Sequence, residues 1–372
     1  MKILTKLLCP TLIAVLTLSG CSLGSKKPVE KTQEPIKIGV SAPLSGPGAS
    51  YGDGFMTGAE LAAKEINDSG GISGQLVKLI VEDDKCSTDA VTAFNKLINI
   101  DKVAGIIGSL CSAAMGPAVS TAQSGKTPTI IQASAPDLTI GKDYIFRNYP
   151  SDTFQGKFAA EYARNKLGKT KAAIIYELSD YSQGLKDTFQ SGFQALGGQI
   201  TYNEGVLSEA NDIRTQIIKA KASSPDILYF PTAKNTALWL TQIKELGFNV
   251  LVMGGDGYSA DIIYKMPSTE GAIFTAAKTS NPEDFQKKIK DATGKESSLF
   301  TPYGYDALMV MTQAIKNAGS IDHQAIRDAL AKIKYDKSVA VPVVEFDENG
   351  DLKTAEYEIK VIKNGEIVDY QP

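Results

Sequence analysis

The sequence predicts an α/β fold of two similar lobes, each built on a parallel sheet covered by helices on both faces. Three observations predict it. Short, continuously apolar runs such as Ile36–Val40, Val103–Ile107 and Ala172–Tyr176 alternate with longer amphipathic stretches, and this rhythm calls for parallel strands joined by crossover helices. The rhythm runs twice, once before the junction Phe146-Arg147-Asn148-Tyr149-Pro150 and once after it. Helical segments without parallel strands of their own then follow, so they must return to complete the two lobes and cross between them several times.

The elements can be justified in chain order. Lys2 and Lys6 precede an apolar run, Leu7–Leu18, which is too short to span a bilayer and has the proportions of a signal peptide. It ends in Leu18-Ser19-Gly20-Cys21, which resembles the lipobox of bacterial lipoproteins. On that reading residues 1–20 are removed and Cys21 carries the lipid; the plainer reading is a secretory peptide with an incidental cysteine. Residues 21–35 are polar, Lys-rich and free of aromatics, the composition of a flexible tether.

The first lobe is expected over 36–152. Ile36–Val40 is a strand, and Ser41–Gly54, rich in Gly, Pro and Ser, is a loop. A helix over Phe55–Asn67 buries Phe55, Ala59, Ala62 and Ile66 on one face and stops at Asp68-Ser69-Gly70-Gly71. Leu76–Val81 is the next strand. Ser87 or Thr88 caps a helix that turns Val91, Phe94, Leu97 and Ile98 inward. Strand Val103–Ile107, a helix opening at Ser112 and strand Pro128–Ser134 complete the series. The second lobe is expected over 153–280. Its helices are Phe154–Leu167, Tyr181–Leu196, Asp212–Lys221 and Thr236–Leu246. Its strands are Ala172–Tyr176, Gln199–Tyr202, Ile227–Phe230, Val250–Gly254 and Ala272–Thr275. Helices near Pro282–Ala292, Tyr303–Ala318 and Asp322–Ile333 belong to a segment, 281–358, returning to the first lobe; 359–372 returns to the second. Asn349-Gly350 and Asn364-Gly365 read as hairpin turns.

The stretch Val103–Thr139 concentrates the binding chemistry. Its two strands deliver Ser109, Ser112 and Ser134 to one carboxyl edge, where ligands of open α/β sheets bind. The helix start at Ser112 offers unpaired N–H groups and a positive dipole end. With no Lys or Arg from Val103 to Gly125, one carboxylate suits it better than a phosphate. Ser112 as a mere N-cap, and Asp256 as a mere turn residue between glycines, are the plainer alternatives.

Composition excludes several classes. At 372 residues the chain has room for two ordinary domains. Its formal charge of −3 becomes two units more negative when Lys2 and Lys6 leave with the signal, and no basic stripe invites nucleic acid. Of four cysteines, Cys9 and Cys21 fall in the leader region. Cys86 and Cys111 remain, either as one disulfide in an oxidising compartment or as two buried free thiols. Two thiols and a distant His323 do not make a metal site. Glu82-Asp83-Asp84 reads as a solvated strand edge rather than a calcium loop. A single histidine, with no G-x-S-x-G, H-E-x-x-H or phosphate-loop motif, argues against an enzyme. No cofactor is implied.

The segments IGVSAPLSGPGASYGDGFMTGAELAAKEIN, GGISGQLVKLIVEDDKC, IIGSLCSAA, ASAPDLT, YSQGLKD, GGDGYS and FDENGDLK together resemble the branched-chain amino-acid-binding family, type I substrate-binding proteins of ABC importers. The resemblance covers essentially all of Ile36–Tyr370. It implies two Rossmann-like lobes joined by a multi-strand hinge, the type I periplasmic-binding-protein fold, and a ligand enclosed between them. It implies a disulfide matching Cys86 to Cys111. It places Ser112 on a ligand carboxylate; Gln132 (through its backbone carbonyl), Ala133 and Ser134 on both ends of an α-amino acid; and Asp256 on the ammonium. Tyr181 would close from the second lobe, and Tyr51 and Phe300 would line the side-chain pocket. The sequence departs from the pattern at three places. A second-lobe tyrosine falls at Ala233, Asp256 is one methylene shorter than the glutamate of some members, and Gln132 replaces a small residue. The resemblance thus implies an exported, lipid-anchored monomer that takes Leu, Ile, Val or another neutral amino acid. Such a protein delivers its cargo to a permease and ATPase; an anchored amino-acid or amide sensor docking on a membrane receptor would use the same cleft.

Overall fold

The computed structural model describes residues 34–278, 280 and 282–372. The leader, the lipobox with Cys21 and most of the tether lie outside the described residues. Among the described residues no helix is long and apolar enough to cross a membrane.

Two sheets organise the chain. The first holds β1 (Ile36–Ala42), β2 (Val77–Asp83), β3 (Gly105–Gly108), β4 (Thr129–Ile131) and β5 (Ile145–Arg147), all parallel, in the order β2-β1-β3-β4-β5. The second holds β6 (Lys171–Glu177), β7 (Gln199–Val206), β8 (Ile227–Tyr229), β9 (Leu251–Gly254) and β10 (Ile273–Ala277). After a separate two-stranded pair, β11 (Lys334–Tyr335) and β12 (Val344–Glu345), the chain adds an antiparallel hairpin to it, β13 (Tyr357–Lys363) and β14 (Glu366–Asp369). The order is β14-β13-β10-β9-β8-β6-β7. The direction of winding reverses between β1 and β3 in one sheet and between β6 and β8 in the other. A crevice opens beyond the carboxyl ends of the strands at such switch points.

Alternation along the strands separates the two faces of each sheet. In the first, Ile38, Val40 and Ile130 pack under α1 (Ala49–Asp68) and α10 (Thr301–Ala318). Ile106 and Ile131 pack under α2 (Ala90–Asn95) and α3 (Ser112–Ser124). In the second, Ala173, Ile175 and Leu228 meet Ile217 of α6 (Arg214–Ala222) and Trp239 and Ile243 of α7 (Thr236–Glu245). Ala172, Ile174 and Tyr229 meet α4 (Asp152–Glu161) and Leu185, Phe189 and Phe193 of α5 (Asp180–Ala195). Beyond the short α8 (Asp261–Tyr264) come α9 (Pro282–Thr293), α10 and α11 (His323–Leu330). Helix α10 reaches the first sheet by backbone contact with α1. A Cβ on Gly58 would stand 1.9 Å from the Thr301 carbonyl oxygen, and one on Gly304 would stand 2.1 Å from that of Phe55.

Several sequence expectations are corrected. Helix α1 begins at Ala49, not Phe55, so the last six residues of the expected Ser41–Gly54 loop are helical. Its glycines hide the helix in sequence, yet Gly52 is required, because a Cβ there would lie 1.9 Å from the Pro43 carbonyl oxygen. Helix α2 starts after Asp89, whose side chain makes no capping bond, while the Ser87 hydroxyl accepts from Asp89 N–H at 3.2 Å in the turn that leads into it. The helix then continues as a wider π-turn over Lys96–Asp101. The junction after the first series contains a fifth strand, Ile145–Arg147. Strand β4 stops at Ile131 instead of Ser134, because the N–H groups of Gln132 and Ala133 both leave the ladder for the Ser109 carbonyl (3.1 Å each). Asn364-Gly365 makes its hairpin, with φ of 55° and 73°. Asn349-Gly350 also turns the chain back on itself, closing an isolated antiparallel bridge between Phe346 and Leu352, and its Gly350 carbonyl accepts from Arg147 N–H at 2.8 Å. Glu82-Asp83-Asp84 is not a solvated edge. Asp84 is fully buried and accepts from the Ser41 hydroxyl (2.9 Å), the Ser109 hydroxyl (2.6 Å) and Cys86 N–H (3.0 Å), while Asp83 accepts from Leu44 N–H (2.8 Å) and the Ser45 hydroxyl. These bonds pin the turn bearing Cys86, which is disulfide-bonded to Cys111. Closing that 25-residue separation stabilises by about 3.5 kcal/mol on the chain-entropy account.

Candidate ligand-binding site

A cavity of about 500 Å³ lies between the carboxyl ends of the two sheets. From the first-sheet side it is lined by Tyr51, Ser112, Gln132, Ser134, Tyr149 and Phe300; from the other by Glu177, Tyr181, Ala233, Asp256 and Gly257.

One end is a donor end. Cys111, in extended backbone, is the N-cap of α3, and Ser112 is the first helical residue. The Ser112 hydroxyl oxygen accepts from Ala135 N–H at 3.1 Å, so its own hydrogen is left to donate. Ala114 and Met115 turn their N–H groups back on the Cys111 carbonyl; the N–H groups of Ser112 and Ala113 are the ones a helix start leaves for an acceptor. A carboxylate here would meet a hydroxyl, two amides and the helix dipole.

The opposite end is an acceptor end. Asp256 follows Gly254-Gly255 at the end of β9, opens a short 3₁₀ turn to Ser259 and is 5% exposed. The glycines are steric necessities: a Cβ on Gly254 would fall 2.3 Å from the Tyr258 ring, and one on Gly255 would fall 2.4 Å from the Tyr181 hydroxyl. The Asp256 carboxylate accepts from Tyr181 Oη (2.9 Å), Gln155 Nε2 (3.1 Å) and the Tyr149 hydroxyl. All three donors are neutral, and among the described residues no cation lies within salt-bridge reach of it. Burial raises its pKa above the usual carboxylate range, against the lowering effect of the three donors. Burial and the Asp256 charge together hold Tyr149 and Tyr181 well above an ordinary phenol, so both remain donors. The acceptor end is therefore a desolvated negative charge that a ligand cation would complete.

Two hydrogen bonds cross the cleft. Tyr51 Oη donates to the Gly257 carbonyl at 2.8 Å, and the Tyr149 hydroxyl donates to Asp256. Tyr51 also packs edge-on to Phe300, with ring centroids 5.1 Å apart, and Phe300 lies 5.4 Å from Tyr149. The three rings form one aromatic wall of the cavity.

The sequence of the chain matches the periplasmic binding protein family over residues 35–366. The chain belongs to that family. A Leu/Ile/Val-binding protein homolog of Brucella melitensis is 30% identical over 346 residues, 90% of this chain and 93% of its own. The Leu/Ile/Val-binding protein of Escherichia coli is 30% identical over 87% of this chain and 90% of its own. The fold is similar to that of a leucine-binding protein of Thermotoga maritima, with a TM-score of 0.82 and 29% identity over 90% of this chain and 98% of that one. It is also similar to a branched-chain amino acid transporter substrate-binding protein of Streptococcus pneumoniae in complex with isoleucine. There the TM-score is 0.79 and the identity 26%, over 90% of this chain and 97% of that one.

Within that family fold, seven of the eight residues expected at the ligand stand on the cavity wall: Tyr51, Ser112, Gln132, Ser134, Tyr181, Asp256 and Phe300. Ala133 stands behind it. Its side chain packs with Phe94 and Met115, its N–H donates to Ser109, and its carbonyl accepts from Arg147 at 3.1 Å. The expectation for Ala133 is corrected accordingly, because the strand end twists its peptide groups into the protein. Sequence reasoning missed Tyr149, Gln155, Glu177 and Arg147. Glu177, at the end of β6, accepts from the N–H groups of Ala233 (2.9 Å) and Lys234 (3.2 Å), and so fixes the loop where a tyrosine was expected. Arg147, fully buried, donates to Asp351 (2.7 Å) and to the carbonyls of Ala133, Ala135 (2.8 Å) and Pro136 (3.3 Å). An arginine directly after the apolar run Tyr144–Phe146 was the one available signal for it.

Proposed function

We propose that this protein captures a free neutral α-amino acid in the cleft and passes it, in the closed form, to an ABC importer. The supporting observation is the pairing of an N–H and hydroxyl donor end at Ser112 with an uncompensated buried carboxylate at Asp256. A zwitterion matches both ends at once, and charge-assisted bonds in a closed cleft are strong. The relatives' names, among them that of the leucine-binding protein, and the isoleucine held by one similar structure point to Leu, Ile and Val as the first ligands to examine. In this reading Ser112 holds the carboxylate, Asp256 the ammonium, Ser134 and the Gln132 carbonyl the α-amino frame, and Tyr181 closes from the second sheet. Residues 36–152 and 281–358 move as one lobe, and 153–280 and 359–372 as the other. Ligand stabilises the closed arrangement by touching both. The ligand is bound and released unchanged.

The test is a thermal-shift screen of Ser22–Pro372 against all amino acids, followed by calorimetry. Bound ligand raises apparent stability by mass action. A neutral amino acid should raise Tm, and Ser112→Ala should weaken its binding by about tenfold or more, the value of one charged hydrogen bond. A cleft that answers to no amino acid would end this reading. We further propose that Cys21 is lipidated and holds a monomer on the outer side of a membrane, on the strength of the Leu18-Ser19-Gly20-Cys21 ending. Cys21→Ser should then move the protein from the membrane fraction to the soluble one; continued membrane partition would argue against the anchor.

A further inference from the structure

Against the side-chain pocket stands a buried acceptor that the amino-acid frame does not use. Gln132 is 1% exposed and lines the cleft, and its Oε1 has no hydrogen-bond partner. Its orientation follows from a relay. Asn148 Nδ2 donates to the Tyr303 backbone carbonyl at 3.1 Å. A carbonyl only accepts, so the Asn148 amide can point only one way. Its Oδ1 therefore faces Gln132, and Gln132 Nε2 donates to it at 2.7 Å. The remaining tip atom is the carbonyl Oε1.

Alternation fixes the side of the sheet on which this atom lies. Ile131 and Ala133 point into the core under α2 and α3, whereas Ile130 points toward α1 and α10, in one cluster with Tyr149, Phe300 and Tyr303. Gln132 shares the side of Ile130. It thus stands with the aromatic wall of Tyr51, Phe300 and Tyr149, away from Ser112 on α3, where a carboxylate would sit. A buried carbonyl without a donor is costly, and a site built to receive a donor discriminates strongly against ligands that lack one.

We propose that Gln132 Oε1 is a specificity-determining acceptor, and that the preferred ligand is a neutral amino acid whose side chain carries a hydrogen-bond donor, a hydroxyl or a carboxamide. The inference rests on the amino-acid reading of the cleft and narrows it. Near-isosteric pairs test it: threonine against valine, asparagine against leucine, and glutamine against methionine. Calorimetry on the wild type should show the donor-bearing member of at least one pair bound about tenfold more tightly than its apolar partner. In Gln132→Met, which keeps the length and removes the acceptor, that ratio should fall to about one. A Gln132 that merely braced β4 against α10 would lower Tm in the variant and leave the ratio where it was, so an unchanged ratio overturns the proposal. So does a wild type that prefers the apolar member of every pair. A wild type that binds no amino acid at all overturns the underlying reading together with this one.

Discussion

Asp256→Asn should abolish most amino-acid binding while leaving the ligand-free protein at least as stable as the wild type. The carboxylate is buried, its three protein partners are neutral, and the ammonium of the bound zwitterion would be its only counter-charge. Removing one member of a desolvated, hydrogen-bonded charge pair costs roughly 2–5 kcal/mol, so the affinity should fall by on the order of 100-fold or more. Asparagine keeps one acceptor oxygen, enough for Tyr181 and Gln155 on one side or for Tyr149 on the other, and carries no charge. The stability half follows from linkage. Burial raises the folded-state pKa of Asp256 above 3.8, so between 3.8 and the raised value the folded state holds more protons than the unfolded one. Stability then falls as pH rises through that window, and the cost is fully present at neutral pH. The variant removes that cost. By the same sign, amino-acid affinity in the wild type should decline on acidification, once Asp256 is protonated in the empty cleft, and the decline should be absent from Asp256→Asn. Calorimetry across pH with thermal unfolding of both proteins checks it. Loss of binding accompanied by a lower Tm would mean that Asp256 braces the fold rather than grips a ligand.

Arg147→Ala should have the opposite signature, a large loss of stability with or without ligand. The guanidinium is fully buried and binds the Asp351 carboxylate, the Thr139 hydroxyl (3.1 Å) and the carbonyls of Ala133, Ala135 and Pro136. Truncation strands a carboxylate and three carbonyls at once, and breaking a buried ion pair costs about 3–5 kcal/mol. For a chain of this size that lowers Tm by on the order of 10 °C. Arg147→Lys should recover little, because an ammonium cannot fork to partners on both sides. The carbonyls it holds flank Ser134, and the Ala135 N–H orients the Ser112 hydroxyl. Affinity should therefore fall too, but as a consequence of the unfolding of 132–136. A Tm within about 2 °C of wild type, well under the shift given above, would show that the segment supports itself without Arg147.

The two variants separate what the cleft does chemically from what keeps it in shape. Ser112 and Asp256, the residues proposed to grip the ligand, face the cavity from opposite sheets. Arg147, Glu177 and Asp84 hold neighbouring segments of the cleft in place: 133–136, 233–234 and the Cys86 turn. The buried carboxylate of Asp84 and its serine donors play for the Cys86 turn the part that Glu177 plays for the loop at Ala233.

Local signals determined much of this protein. The βαβα rhythm, read from runs such as Ile36–Val40 and Ala172–Tyr176, depends only on the periodicity of burial, and it yielded two parallel sheets. The opening of α3 at Ser112 and the turn at Asn364-Gly365 are set by residues within a few positions of each other. Of the seven cavity residues, Ser112 and Ser134 were legible from their place at a sheet edge, and Gln132, Asp256, Tyr181, Tyr51 and Phe300 through the family resemblance. The tertiary structure alone decided the rest. Helix α1 starts six residues early because Gly52 and Gly54, poor helix formers in isolation, make room for Pro43 and for Ser298 far along the chain. Asp84 is buried because Ser41 and Ser109, from two other segments, meet it. The free face of the Gln132 amide depends on Asn148 and on the Tyr303 carbonyl, 155 residues beyond Asn148. Periodicity records which side of an element is buried; it carries no information about which distant partner a buried polar atom meets, because that is fixed only when the helices return across the hinge.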